Sequence, residues 1–101
     1  MHIWWGVIDD TVVTRREDHV FVVINAGRLD VDLPYLRSKI SESKMDVSMD
    51  FIDDHCLIAF QGPTAVNVLQ KHTSYDLSSL EFFYMANMNV ADIPCQVSRS
   101  G

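Results

Sequence analysis

The apolar pattern of this chain changes period at Asn25-Ala26-Gly27, and that change limits the folds open to it. Before it, Thr11-Val12-Val13-Thr14 and Val20-Phe21-Val22-Val23-Ile24 are β-branched runs separated by Arg15-Arg16-Glu17-Asp18-His19. Two such runs joined by five polar residues predict an antiparallel hairpin with a longer loop. After it, Leu29, Leu33, Leu36 and Ile40 recur at spacings of four, three and four, one face of a helix. Asp30 or Asp32 can cap that helix, and Pro34 is tolerable only in its first turn. Ser41-Glu42-Ser43-Lys44 ends it.

The second half repeats the alternation. Met45, Val47, Met49 and Phe51 alternate with polar residues, which predicts a half-buried strand. Asp53-Asp54-His55 reads as a turn, and Cys56-Leu57-Ile58-Ala59-Phe60 as an inner strand. Gln61-Gly62-Pro63-Thr64 starts a second helix with Pro63 at its first position and Ala65, Val68, Leu69 and His72 on its buried side. Phe82 to Val90 and Ile93 to Val97 read as strands flanking an Ala91-Asp92 turn. The order β-β-α-β-β-α-β-β predicts an α+β fold, an antiparallel sheet with two helices packed on one face.

Composition narrows the function classes. The chain has 101 residues, room for one domain, since compact domains run from about 50 to 200 residues. Eight Lys and Arg against 14 Asp and Glu leave a net charge of −6, the wrong sign for neutralising phosphates. With no local basic patch, nucleic acid is not an expected partner. Four glycines cannot build a phosphate-cradling loop of either common spacing. Cys56 and Cys95 lie too far apart for a metal knuckle or redox pair and read as free thiols of an intracellular protein. The longest nearly apolar run, Val20 to Ala26, is far short of the about 20 residues a bilayer crossing needs. The amino terminus lacks the cationic-then-apolar pattern of a secretion signal.

Candidate chemistry is sparse. Asp9-Asp10, next to Gly6, can present a carboxylate at a strand end, although spacing alone favours an ordinary polar turn. Asp53-Asp54-His55 can hold a cation or form an acid/base pair, but a solvated turn is the simpler reading. Asn25-Ala26-Gly27, at the carboxyl end of a strand, suits a ligand contact or a turn that starts a helix. His2, His19, His55 and His72 have no metal-ligand spacing, and no serine lies in a nucleophile elbow. Phe82-Phe83-Tyr84 with Met85 and Met88 suits core or a protein contact.

Four collinear segments carry a family resemblance. Gly6-Val7-Ile8-Asp9-Asp10-Thr11-Val12-Val13-Thr14, Val22-Val23-Ile24-Asn25-Ala26-Gly27 with Asp32-Leu33, and Leu57-Ile58-Ala59-Phe60-Gln61-Gly62-Pro63-Thr64-Ala65 resemble segments of the glycine cleavage system T-protein family, the aminomethyltransferases. Cys95-Gln96-Val97-Ser98-Arg99-Ser100-Gly101 resembles the run leading into that family's Gly-Tyr-Thr-Gly-Glu motif. The resemblance implies part of the aminomethyltransferase folate-binding fold. It also implies transfer of a one-carbon unit from the aminomethylated lipoyl arm of H-protein to tetrahydrofolate, with release of ammonia. On it, Asp10 is the catalytic carboxylate beside the folate nitrogens, and Val23 and Asn25 lie near the folate and the lipoyl arm. Gln61-Gly62-Pro63 is structural, and no metal is implied.

The family has Gly-Gly where Trp5-Gly6 stands, preceded by an Asn near the position of His2. Residues 1–5 are therefore expected to be a non-native or variant amino terminus, and residues 6–101 a partial folate-binding domain, a piece of the enzyme inactive on its own. The missing cover is expected to make the piece self-associate through Phe82, Phe83 and Met85. A eukaryotic member implies the mitochondrial matrix and a bacterial one the cytoplasm. Two related readings share the fold: a non-catalytic folate-binding module that assists iron–sulfur cluster assembly, and the folate domain of a dimethylglycine or sarcosine dehydrogenase. Asp9-Asp10 and Gln61-Gly62-Pro63 favour the transferase.

Overall fold

Two β-hairpins and two α-helices follow from these patterns in a computed structural model, which describes residues 6–100. The readings made for residues 1–5 and Gly101 lie outside the described residues. The chain divides into two compact units, residues 1–55 and 56–101, each with one antiparallel hairpin and one α-helix.

In the first unit, β1 (Val12–Arg15) pairs with β2 (Val20–Val23), Val12 opposite Val23 and Arg15 opposite Val20. The turn between them closes through the Arg16 N–H donating to the His19 carbonyl at 2.8 Å. A single 3₁₀ turn (Ala26–Arg28) then leads into α1 (Leu29–Ser43). Leu29, Leu33, Leu36 and Ile40 form the half-buried stripe of α1, as their spacing predicts. Neither Asp30 nor Asp32 caps the helix; both fall in its first turn, and Arg28 holds the cap position without a side-chain bond to the helix end. Pro34 is the sixth residue of α1, in the second turn rather than the first, so the bond its N–H would make to the Asp30 carbonyl is lost.

The helix stops at Lys44, a left-handed residue with φ 55°. A side chain in that region costs about 1–2 kcal/mol, which glycine avoids at the expense of extra unfolded-state freedom. Lys44→Gly is therefore expected to stabilise the first unit by about 0.5–1 kcal/mol. A thermal melt checks this, and a lower Tm would contradict it.

The second unit holds α2 (Ala65–Gln70), a 3₁₀ turn (Leu77–Ser79), and the hairpin of β3 (Met85–Val90) with β4 (Ile93–Ser98). Ala91 and Asp92 both have positive φ (49° and 65°), the two-residue turn whose twist matches flanking strands. Leu77, Leu80 and Met88 are its buried centre, with Leu69, Tyr75, Ala86, Val90 and Val97 packed around them. Arg99 ties the 3₁₀ turn down, its Nε donating to the Leu80 carbonyl at 2.6 Å and its Nη2 to that of Leu77 at 2.7 Å. Gln70 does the same from α2, donating to the Tyr75 carbonyl at 2.7 Å and accepting from the Leu77 N–H at 2.9 Å.

Further expectations are corrected. The α+β class holds, but two separate two-stranded sheets replace the single sheet. Residues 45–51 and 56–60 form no ladder among the described residues. The Val47 N–H turns back to the Met45 carbonyl at 2.9 Å, and Leu57 and Ile58 are 75% and 77% exposed. A strand requires a neighbouring strand for its backbone groups, and among the described residues none pairs with these segments. Lastly, Pro63 precedes α2 by two residues, in a turn closed by the Ala65 N–H on the Gly62 carbonyl, with Gly62 at φ 129° where only glycine is at ease. Of the residues expected on the buried side of α2, Ala65 and Leu69 are half-buried, whereas Val68 and His72 are exposed. A helix of six residues has too little length to bury a whole stripe. Among the described residues, no helix is long and apolar enough to cross a membrane.

Candidate functional site

The segment before β1 and Asn25, two residues past β2, meet because the hairpin brings its two ends together. Asn25 thus reaches back across 15 or 16 residues to Asp9 and Asp10. Its Nδ2 donates to Asp9 Oδ1 at 2.8 Å, to Asp10 Oδ1 at 3.0 Å and to the Asp10 carbonyl at 3.0 Å. One amide has two hydrogens, so at least one is shared between acceptors, and the three oxygens are gathered around a single nitrogen. The Asp10 N–H adds a fourth bond to the cluster, donating to Asp9 Oδ1 at 2.9 Å. Arg28, in the 3₁₀ turn, anchors the same segment by donating from Nη2 to the Ile8 carbonyl at 2.9 Å.

Beside this cluster, Ile8, Val13, Val22, Ile24, Tyr35 and Leu36 line a mostly apolar cavity of about 220 Å³ that is open to solvent, with Asp9, Thr11 and Asp32 also in its lining. Asp32 reaches it from the first turn of α1 and is buried, at 5% exposure. Asp9 Oδ2 and Asp32 Oδ2 are both buried and accept no hydrogen bond from a donor among the described residues. The two carboxyls influence each other: the Asp32 carboxyl holds Asp9 below the usual carboxylate range, helped by the Asn25 amide. The Asp9 carboxyl and burial push Asp32 above that range, opposed by the Arg28 charge. Among the described residues, no group of three or more His, Cys, Asp or Glu is arranged to hold a metal.

The structure therefore brings Asp10 and Asn25 together and leaves both exposed to solvent. Val23 is half-buried and stands opposite Val12 in the ladder. It lies on the face of β2 away from Val22, which lines the cavity. Asp32 is the residue that sequence reasoning missed, having been read as a cap. Its signal was present: with Leu29, Leu33 and Leu36 it sits at an i+3 position on the apolar stripe, where a carboxyl requires a reason.

Residues 5–101 match the family model described as the GCVT N-terminal domain. The chain belongs to the glycine cleavage T-protein family. The mitochondrial aminomethyltransferase of Dictyostelium discoideum is 42% identical to this T-protein family member over 102 residues, 95% of this chain and 25% of that protein. The mitochondrial aminomethyltransferase of Homo sapiens is 40% identical over 101 residues, covering 95% and 25%. The aminomethyltransferase of Alkaliphilus metalliredigens is 36% identical over 98 residues, covering 95% and 26%. The T-protein match thus spans about a quarter of the length of these curated relatives, all of them named as transferases. No solved structure matches the chain.

Proposed function

We propose that residues 6–101 form part of the tetrahydrofolate-binding region of an aminomethyltransferase of the glycine cleavage system. The observation that carries this reading is the Asn25 amide joining Asp9 and Asp10, because it fixes a carboxylate on the segment where the family resemblance puts its catalytic residue. In the reaction, the aminomethyl carbon leaves the lipoyl sulfur of H-protein, ammonia departs, and 5,10-methylenetetrahydrofolate results with no change in electron count. Tetrahydrofolate, when bound, supplies the nitrogen nucleophiles. The residues suit such a partner, since ionised carboxylates are acceptor-only groups that match N–H donors.

Asp10 carries the charge in this reading. Its carboxylate, oriented by Asn25, is the acceptor for an N–H of the folate and stabilises positive charge that develops on nitrogen during transfer. Asn25 orients that carboxylate, and Val23 stands with it in the folate- and lipoyl-facing set implied by the family. Residues 1–5 stand ahead of this domain as a non-native or variant amino terminus, although the family match takes in Trp5. The names of the Dictyostelium and human relatives support a mitochondrial location for a eukaryotic member, which the family resemblance puts in the matrix; a bacterial one would work in the cytoplasm.

The test is an assay of the whole protein that carries this segment. Ammonia release from aminomethylated H-protein is expected to require tetrahydrofolate and to match methylenetetrahydrofolate formed. Product without dependence on either partner would overturn the reading. The isolated chain is expected to be inactive and to self-associate, since Phe82 and Phe83 are exposed, with ring centroids 4.2 Å apart, beside Met85 at the start of β3. Light scattering at tens of micromolar checks this; a monomer would contradict it.

A further inference from the structure

We propose that Asp32 is a positioning residue of the Asp10 site, bridging to Asp9 through one shared proton and so fixing the carboxyl that Asn25 uses to hold Asp10. This rests on the transferase reading for its functional meaning, but the pairing itself stands on two buried, unpartnered carboxyl oxygens whose residues line one cavity. Asp9 and Asp32 both line the cavity, and Asp9 Oδ2 and Asp32 Oδ2 are buried without a donor among the described residues. Two ionised carboxylates in contact repel, and neither carries a hydrogen to offer the other. A single proton between them satisfies both oxygens at once.

The two oxygens of Asp9 then have separate tasks. Oδ2 is held by Asp32, while Oδ1 accepts from the Asn25 amide at 2.8 Å and from the Asp10 N–H at 2.9 Å. Rotation of the Asp9 carboxyl would move Oδ1 away from both donors. Asp32 therefore fixes Asp10 at one remove: Asp32 to Asp9, Asp9 to Asn25, Asn25 to Asp10 Oδ1 at 3.0 Å. The charged and titratable groups facing the pair are Asp10 from its own segment, Arg28 from the 3₁₀ turn and Tyr35 from α1. Thr11, Val13, Val22 and Ile24 complete the surroundings and do not titrate.

The pair has a defined pH signature. Asp32, raised above its ordinary value, favours the fold when protonated, and that contribution is lost as pH rises through its folded-state value. Asp9, lowered, contributes above its ordinary value, and that contribution is lost as pH falls through its folded-state value.

The experiment is a titration of the carboxyl-carbon NMR shifts of Asp9, Asp10 and Asp32 in the chain without substrate. A proton-sharing pair is expected to titrate in two separated steps, each visible on both Asp9 and Asp32. Asp32→Asn, whose amide can donate permanently to Asp9 Oδ2, is expected to leave one step and keep the Asn25 side-chain amide signals in place. Asp32→Ala is expected to move the Asn25 amide and Asp10 carboxyl signals towards solvent values. Single ordinary steps on both carboxyls, or Asn25 and Asp10 signals unmoved in a folded Asp32→Ala chain, would overturn the proposal. Should Asp32→Ala not fold, the native and Asp32→Asn titrations decide it. Because no substrate is present, a two-step titration beside an inactive whole enzyme would sink the transferase reading while leaving the pair intact.

Discussion

Asp10→Asn in the whole enzyme is expected to lower turnover by about 10²–10³-fold, the usual cost of losing one preorganised electrostatic contact to a transition state. The substitution isolates charge from shape. Asn keeps the size of the side chain and an oxygen that can accept from Asn25, so the gathered cluster survives. Asp10 is exposed, so stability should shift by no more than about 0.5 kcal/mol. What disappears is the full negative charge that opposes positive charge on nitrogen, an interaction stronger in the transition state than in the ground state. The loss should therefore appear in kcat more than in KM. Ammonia release under saturating H-protein and tetrahydrofolate measures it, and near-normal turnover would remove Asp10 from the mechanism.

Leu77→Ala is expected to unfold the second unit. Leu77 is 2% exposed, and among the described hydrophobic side chains only Leu80 and Met88 are buried with it. Truncating a buried leucine costs about 2–5 kcal/mol, against a typical domain stability of about 5–15 kcal/mol. A centre of three buried side chains leaves this unit near the bottom of that range. The backbone of Leu77 also accepts from Arg99 and donates to Gln70, so displacement of this turn releases both clamps. Amide hydrogen exchange reads the outcome directly: protection across Met85–Val90 and Ile93–Ser98 should be lost. Retained protection would mean that the hairpin does not depend on this cluster.

Local pattern carried much of the fold. The spacing of Leu29, Leu33, Leu36 and Ile40 located both α1 and its half-buried side. The hairpin β1–β2 lay within one residue of its β-branched runs, and Ala91-Asp92 was the turn of the second hairpin. Where reading failed, the deciding information was not local. Met45 to Phe51 alternates as a strand does, yet alternation describes one face of a ladder and says nothing of a partner. Cys56 to Phe60 fails for the same reason, its apolar side chains standing exposed without a neighbouring strand.

The site shows the same division. Asp10, Val23 and Asn25 came from family resemblance, since spacing alone left Asp9-Asp10 as a polar turn. The hairpin supplied what spacing could not, bringing Asn25 back onto both aspartates. Asp32 became visible only when the first turn of α1 was seen to place it in the cavity lining with Asp9. A carboxyl on an apolar stripe was the clue, and the cap reading absorbed it because Asp in a first helical turn needs no further explanation.

The central claim is that Asp10 works through the hold that Asn25 has on it. A double-mutant cycle on ammonia release in the whole enzyme tests this most directly, using Asp10→Asn, Asn25→Ala and the two combined. Asn25→Ala alone is expected to slow turnover, and to add little once Asp10 has lost its charge, because both changes remove one oriented carboxylate. Losses that simply multiply would show that Asn25 and Asp10 act independently, and would contradict the claim.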